Sequence, residues 1–141
     1  MNNNRAKIEM SSMSENIGLA RISAATFAAQ LDFTLSEIEE IKVAISEAVS
    51  NSIIHGYEND TNGNVILNME LDGNRFKIEV EDFGVGIADI NEAMQPSFTT
   101  SEERMGLGLV FINSFMNEME IISTPGEGTL VRMVKIPENN K

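Results

Sequence analysis

A two-layer α+β sandwich, with helices on one face of a mixed, mainly antiparallel sheet, is the fold class this chain predicts. Three observations lead there. Helical periodicity dominates up to Gly56, and two-residue alternation dominates from Asn64 to Glu81. Asp72-Gly73 splits that alternating stretch with a hairpin turn signal. Helices gathered ahead of antiparallel strands give segregated layers.

Arg5 to Met10 reads as a first strand. Ser12-Met13-Ser14-Glu15 has capping-box spacing and predicts a helix reaching about Leu31. Thr34-Leu35-Ser36-Glu37 repeats that signal and predicts a second helix ending near His55-Gly56. Ile38, Ile41, Ile45, Ala48 and Ser52 recur at helical spacing and define its core face. Asn64 to Leu71 and Arg75 to Glu81 are predicted strands. Their inward faces are Val65-Leu67-Met69-Leu71 and Phe76-Ile78-Val80. Asp89 to Met94 predicts a short helix, and Gln95 to Met105, without a period, a loop. Leu107 to Asn117 is helical. Glu120 to Ser123 and Thr129 to Ile136 are final strands joined by Pro125-Gly126-Glu127-Gly128.

With 141 residues, the chain makes one domain spanning 1–141, its ordered core about 5–137. Net charge is -12, which excludes a nucleic-acid partner because no basic surface replaces counterions. There are no cysteines, so disulfides and thiolate metal sites are excluded. The apolar stretch Ile17 to Leu31 is broken by Arg21, Ser23, Thr26 and Gln30 and is too short for a bilayer. The start lacks a signal-peptide core, so a cytoplasmic location and no membrane partner are expected.

Three segments carry chemistry. Glu47 and Asn51 lie one turn apart on the second helix, in a run from Ala44 to Ile54 with no other charge. An amide oxygen can ligate magnesium without adding charge beside a triphosphate, and magnesium keeps waters and phosphate oxygens for its other positions. A carboxylate one turn away can deprotonate an attacking hydroxyl. Asp82-Phe83-Gly84-Val85-Gly86 follows a strand. Isolated, this is a turn signature; at a strand end, the acid can accept the adenine amino proton while the glycines admit backbone to the ring. Gly106-Leu107-Gly108 reads as a helix entrance whose N–H groups face phosphate. Arg104, the one basic residue between Lys77 and Arg132, can neutralise charge on a transferred phosphoryl group.

These residues resemble the nucleotide boxes of the ATPase superfamily shared by DNA gyrase, Hsp90, histidine kinases and MutL. The match runs through Glu47-x3-Asn51, Asp82-x-Gly84-x-Gly86 and Gly106-x-Gly108, with Gly128-Thr129 as a late threonine. More narrowly, the chain resembles the anti-sigma factor serine kinases of spore-forming bacteria. That likeness is carried by Glu47 to Tyr57, by Asp82 to Ile87, and by Gln95-Pro96-Ser97-Phe98-Thr99-Thr100 ahead of Glu103-Arg104. Ser97 and Met105 depart from the residues expected at lid positions.

The resemblance implies a histidine-kinase-like ATPase fold and a Mg-ATP-dependent kinase. Such a kinase sequesters a sporulation sigma factor and phosphorylates a serine of its anti-anti-sigma antagonist. It implies Glu47 as base, Asn51 as the Mg2+ ligand and Asp82 as adenine reader, with Gly84 and Gly86 lining the base pocket. Thr99, Thr100, Arg104, Gly106 and Gly108 would form a lid over the phosphates, and Thr129 would join the pocket. A homodimer is also implied. Two other readings stand beside it: a nucleotide-gated anti-sigma binding module with negligible transfer, and a general-stress anti-sigma kinase.

Outside the boxes, Arg21 is the lone charge between Glu15 and Asp32 and is expected either to pair with an acid or to contact a partner. His55 is expected to pack at a helix end. Glu37-Ile38-Glu39-Glu40 reads as a solvated face.

Overall fold

The computed structural model describes residues 3–94 and 100–140. Five strands form one sheet: β1 (Asn3–Ser11), β2 (Asn64–Asp72), β3 (Arg75–Asp82), β4 (Glu118–Thr124) and β5 (Gly128–Lys135). Their order is β1-β2-β3-β5-β4. Every neighbouring pair is antiparallel, so among the described residues the sheet is not mixed. Helices α1 (Asn16–Ala28), α2 (Leu35–Asn51), α3 (Ile90–Ala93) and α4 (Thr100–Phe115) complete the expected two-layer sandwich.

Alternation builds the sheet half of the core. Val65, Leu67, Met69 and Leu71 of β2 are buried on the same side as Phe76, Ile78 and Val80 of β3. The helical half is narrow where alanine is used. Ala20, Ala24 and Ala28 on α1, and Ala44 and Ala48 on α2, are fully buried or nearly so, leaving room for the two helices to approach closely. Phe27 of α1 stacks on Phe76 of β3 with ring centroids 5.7 Å apart.

Helix starts divided according to where the capping residue could reach. Thr34 and Glu37 form the predicted box: Thr34 Oγ1 accepts from the Glu37 amide at 3.1 Å, and Glu37 Oε1 accepts from the Thr34 amide at 2.8 Å. The box expected at Ser12 does not form. Ser12 is buried, donates to the Asp60 carbonyl at 2.5 Å and accepts from the Gly63 amide at 3.0 Å. A long-range anchor for the loop before β2 replaces the cap, and α1 starts after Glu15 with no side-chain cap. Its regular turns stop at Ala28, short of Leu31.

Three further expectations are corrected. Glu37 is not solvated: it is 6% exposed, and its second oxygen accepts from the Glu138 amide at 2.8 Å. Asp72 is not in the hairpin turn; it pairs with Arg75, leaving Gly73 (φ 64°) and Asn74 as the two-residue loop. The second helix is α-helical only to Asn51 and closes in a π-helical turn, Ser52–Gly56.

Candidate functional site

The π turn and the loop after β3 are clasped together, and this clasp shapes the site. Val85 N–H donates to the Gly56 carbonyl at 2.9 Å. A methyl group on Gly84 would lie 2.0 Å from that same carbonyl oxygen, so only glycine lets the two backbones meet. On the other flank, Gly126 N–H donates to the Val85 carbonyl at 2.7 Å, and Gly86 holds φ 77° against the Thr124 carbonyl. Gly84 and Gly86 are therefore fixed first by backbone contacts.

Beneath this clasp is a cavity of about 370 Å³, of nucleotide-pocket scale. Asn51, Ser52, His55, Asp82, Gly86 and Thr129 supply much of its polar wall. Ile87, Ala93, Met105, Leu109 and Val131 supply apolar surface. Asp82, at the end of β3, is buried; its Oδ1 accepts from the Gly84 amide at 3.0 Å. Burial pushes its carboxyl above the ordinary aspartate value, opposed by hydrogen bonds from the Gly84 amide, the Ser52 hydroxyl and the Thr129 amide. The carboxylate thus holds the turn and also lines the cavity.

Asn51 carries a different signal. Its Nδ2 is buried and has no hydrogen-bond partner. A buried amide left half-satisfied at a cavity wall is costly unless a ligand completes it. Glu47, one turn earlier, is half-buried and does not line the cavity; it faces α4. A methyl group on Gly108 would lie 2.7 Å from Glu47 Oε2 and 3.4 Å from Asn51 Nδ2.

That contact revises the third segment. Gly106-Leu107-Gly108 lies inside α4, which begins at Thr100, so these glycines are not a helix entrance and their N–H groups are spent within the helix. Gly106 and Gly108 are buried and do not line the cavity. The loop expected over Gln95 to Met105 is helical from Thr100 onward. Gln95 to Thr99 lie outside the described residues, and Thr100 and Arg104 are placed on α4 by their backbone. The structure thus brings Asn51, Asp82, Gly86 and Thr129 into one cavity. Gly84 sits behind its wall, and Glu47 and Gly108 sit beside it.

Comparison with known proteins assigns the chain a family. Residues 10–135 match the Histidine kinase-like ATPase domain family. An Anti-sigma F factor of Thermoanaerobacter sp. (strain X514) is 51% identical over 98% of this chain and 97% of its own length. Those of Anoxybacillus flavithermus and Bacillus licheniformis are 44% and 43% identical, each over 94% of this chain and 92% of their own. The chain belongs to the anti-sigma F factor family. Membership in this ATPase-type domain family makes it an ATP-binding protein of kinase type.

Two solved structures share the fold. The RsbU and RsbW domains of a Mycobacterium tuberculosis protein match with a TM-score of 0.67 at 21% identity, over 94% of this chain and 32% of that one. A blue-light activated histidine kinase of Erythrobacter litoralis matches with a TM-score of 0.60 at 18% identity, over 91% and 42%.

Several site residues carried no sequence signal. Ser52 is marked by its spacing only as a core position, yet it hydrogen-bonds Asp82. Tyr57 accepts from the Phe83 amide at 2.8 Å and donates to the Asn64 carbonyl at 2.5 Å, tying the Asp82 loop to β2. Asp89 and Glu92 reach the cavity from the α3 end. A tyrosine beyond a helix end and acids on a four-residue helix could not be told from surface residues by spacing alone.

Proposed function

We propose that this protein is an ATP-dependent serine kinase and anti-sigma factor acting in the cytoplasm. In this reading it holds a sporulation sigma factor and phosphorylates a serine of that factor's anti-anti-sigma antagonist. The observation that carries the reading is the convergence of Asn51, Asp82, Gly86 and Thr129 on one cavity beneath α4. The family relatives, named Anti-sigma F factor, support the partner class.

In this reading Asp82 accepts the amino proton of adenine from the cavity floor, and Thr129 flanks it. Asn51 fits a Mg2+ site: it lies on the cavity wall, its amide oxygen can ligate the ion without adding charge against phosphate, and its unpaired Nδ2 can donate to a phosphate oxygen. Magnesium would neutralise the phosphate oxygens there and leave the protein little charge to supply. Glu47, one turn away, would receive the proton of the serine hydroxyl. Gly108, having no side chain, leaves the space in which that carboxylate sits. Arg104, Thr99 and Thr100, from the start of α4 and the segment before it, are proposed to face the phosphates.

Transfer from labelled ATP to a purified antagonist protein tests this directly. Glu47→Ala should lower the rate roughly 10²- to 10⁴-fold while ATP affinity stays within about twofold. Unchanged transfer would remove Glu47 as base. No transfer by the wild type, with sigma binding intact, would leave the nucleotide-gated binding module as the correct reading.

Arg21 is proposed as a sigma contact. It is exposed on α1 beside Leu19 and Ile22, which are 50% and 62% exposed. Arg21→Ala should weaken sigma binding roughly tenfold in calorimetry with ATP affinity retained. Equal binding would discard the assignment.

A further inference from the structure

Three residues stand side by side across three strands on the cavity side of the sheet. Asp82 of β3 pairs with Thr129 of β5, and Thr129 pairs with Ser123 of β4. Facing residues in such a row have their Cβ atoms about 4.5–5.5 Å apart, close enough for side chains to interact. Asp82 and Thr129 line the cavity; Ser123 stands behind Thr129 and does not.

Ser123 makes three contacts. Its Oγ accepts from the Ile87 amide at 2.7 Å, donates to the Gly128 carbonyl at 3.1 Å and lies 2.8 Å from Thr129 Oγ1. A serine hydroxyl has one proton and two lone pairs. The Gly128 carbonyl can only accept, so it takes the proton. The Ile87 amide can only donate, so it takes one lone pair. Thr129 must then donate into the other. With its proton spent on Ser123, Thr129 offers the cavity lone pairs alone. Asp82, as a carboxylate, also offers lone pairs alone.

From this row we infer that Ser123 is a positioning residue that sets base selectivity: by orienting the Thr129 hydroxyl away from the cavity, it makes the Asp82–Thr129 pair an acceptor edge that favours a 6-aminopurine over a 6-oxopurine. Ser123 touches no ligand itself and acts through Thr129. The inference rests on the reading of this cavity as the adenine site. Without Ser123, the Thr129 proton is free to turn into the cavity and donate to a 6-oxo group. The Ile87 amide, on the loop that also lines the cavity, loses its partner as well.

The test is calorimetric titration with ATP and with ITP, which presents a 6-oxo edge in place of the 6-amino group. Wild type should prefer ATP. Ser123→Ala should reduce that preference roughly three- to tenfold, the scale of one neutral hydrogen bond. Ser123→Thr, which keeps the hydroxyl, should restore it. In a Thr129→Val background, Ser123→Ala should leave the preference unchanged, because the residue through which it acts is gone. If Ser123→Ala does not fold, Ser123→Cys carries the same comparison.

A Ser123→Ala variant that weakens ATP and ITP by the same factor would make Ser123 merely structural and overturn the inference. So would a selectivity change that persists in the Thr129→Val background. Failure of the wild type to bind ATP would overturn the proposed function, and the inference with it.

Discussion

At the scale of single residues, the site holds a carboxylate where water cannot fully solvate its charge. Asp82 shows the cost. Burial raises its carboxyl pKa, so the folded state binds its proton more tightly than the unfolded chain does. Its stabilising contribution is therefore complete below the unfolded aspartate value and is lost as pH rises through the higher folded value. Asp82→Asn removes that penalty while its Oδ1 can still accept from the Gly84 amide. Its melting temperature should match or exceed wild type at neutral pH, and the advantage should shrink toward about pH 4, the ordinary aspartate range. Its ATP affinity should fall roughly 10- to 100-fold, the loss expected for a charged hydrogen bond. Thermal scans across pH and nucleotide titration check the two halves separately. A variant that loses binding and stability together would mean Asp82 is chiefly a structural turn residue.

Between elements, the glycines sort by what they meet. A side chain at Gly84 collides with rigid backbone at Gly56, whereas one at Gly108 meets the end of the flexible Glu47 carboxylate. Gly84→Ala should therefore cost about 2–3 kcal/mol of stability in denaturant unfolding. Gly108→Ala should cost under about 1 kcal/mol, helped by alanine's better helix propensity. Its effect should emerge as slowed phosphoryl transfer, since the carboxylate must move. A larger stability loss at position 108 than at 84 would invert this assignment.

These two sites also show how far the sequence could be read. The motif Asp82-x-Gly84-x-Gly86 was legible as a strand-end loop because glycine and aspartate are local signals. That Gly84 answers to Gly56, far earlier in the chain, is a tertiary fact with no local trace. In the same way, Gly106-x-Gly108 was legible as glycine-rich. Whether those glycines open a helix or lie within one depends on where the helix begins, and α4 begins at Thr100. Thr34 and Ser12 carried the same capping pattern, and only the first capped its helix, because the second was claimed by Asp60 and Gly63 in the loop before β2.

Across the whole molecule, charge is distributed unevenly. Net charge is -12, yet five of the ten Lys and Arg residues, namely Arg5, Lys7, Arg75, Lys77 and Arg132, line one groove on the sheet face away from the helices. Arg132 bridges Glu79 and Glu120 at 2.8 and 2.7 Å, and Arg75 meets Glu118 at 2.9 Å. Exposed pairs of this kind contribute little individually. Self-repulsion among the excess acids, long-ranged at low ionic strength, is expected to outweigh them. Raising sodium chloride from about 10 mM to about 150 mM, which shortens the screening length from about 30 to about 8 Å, should raise the melting temperature. A fall would mean the cross-strand pairs outweigh the repulsion. No helix among the described residues is long and apolar enough to cross a membrane.

The buried Glu37 takes one N–H from the turn that starts α2 and another from position 138. The same seventeen-residue rod, about 25 Å long by helix geometry, carries Asn51, the proposed magnesium ligand, at its opposite tip. Trimming the tail, or fusing a reporter that drags on it, strips one of two tethers from the rod's base. Truncations meant to preserve nucleotide chemistry should keep Glu138 and append any label beyond it.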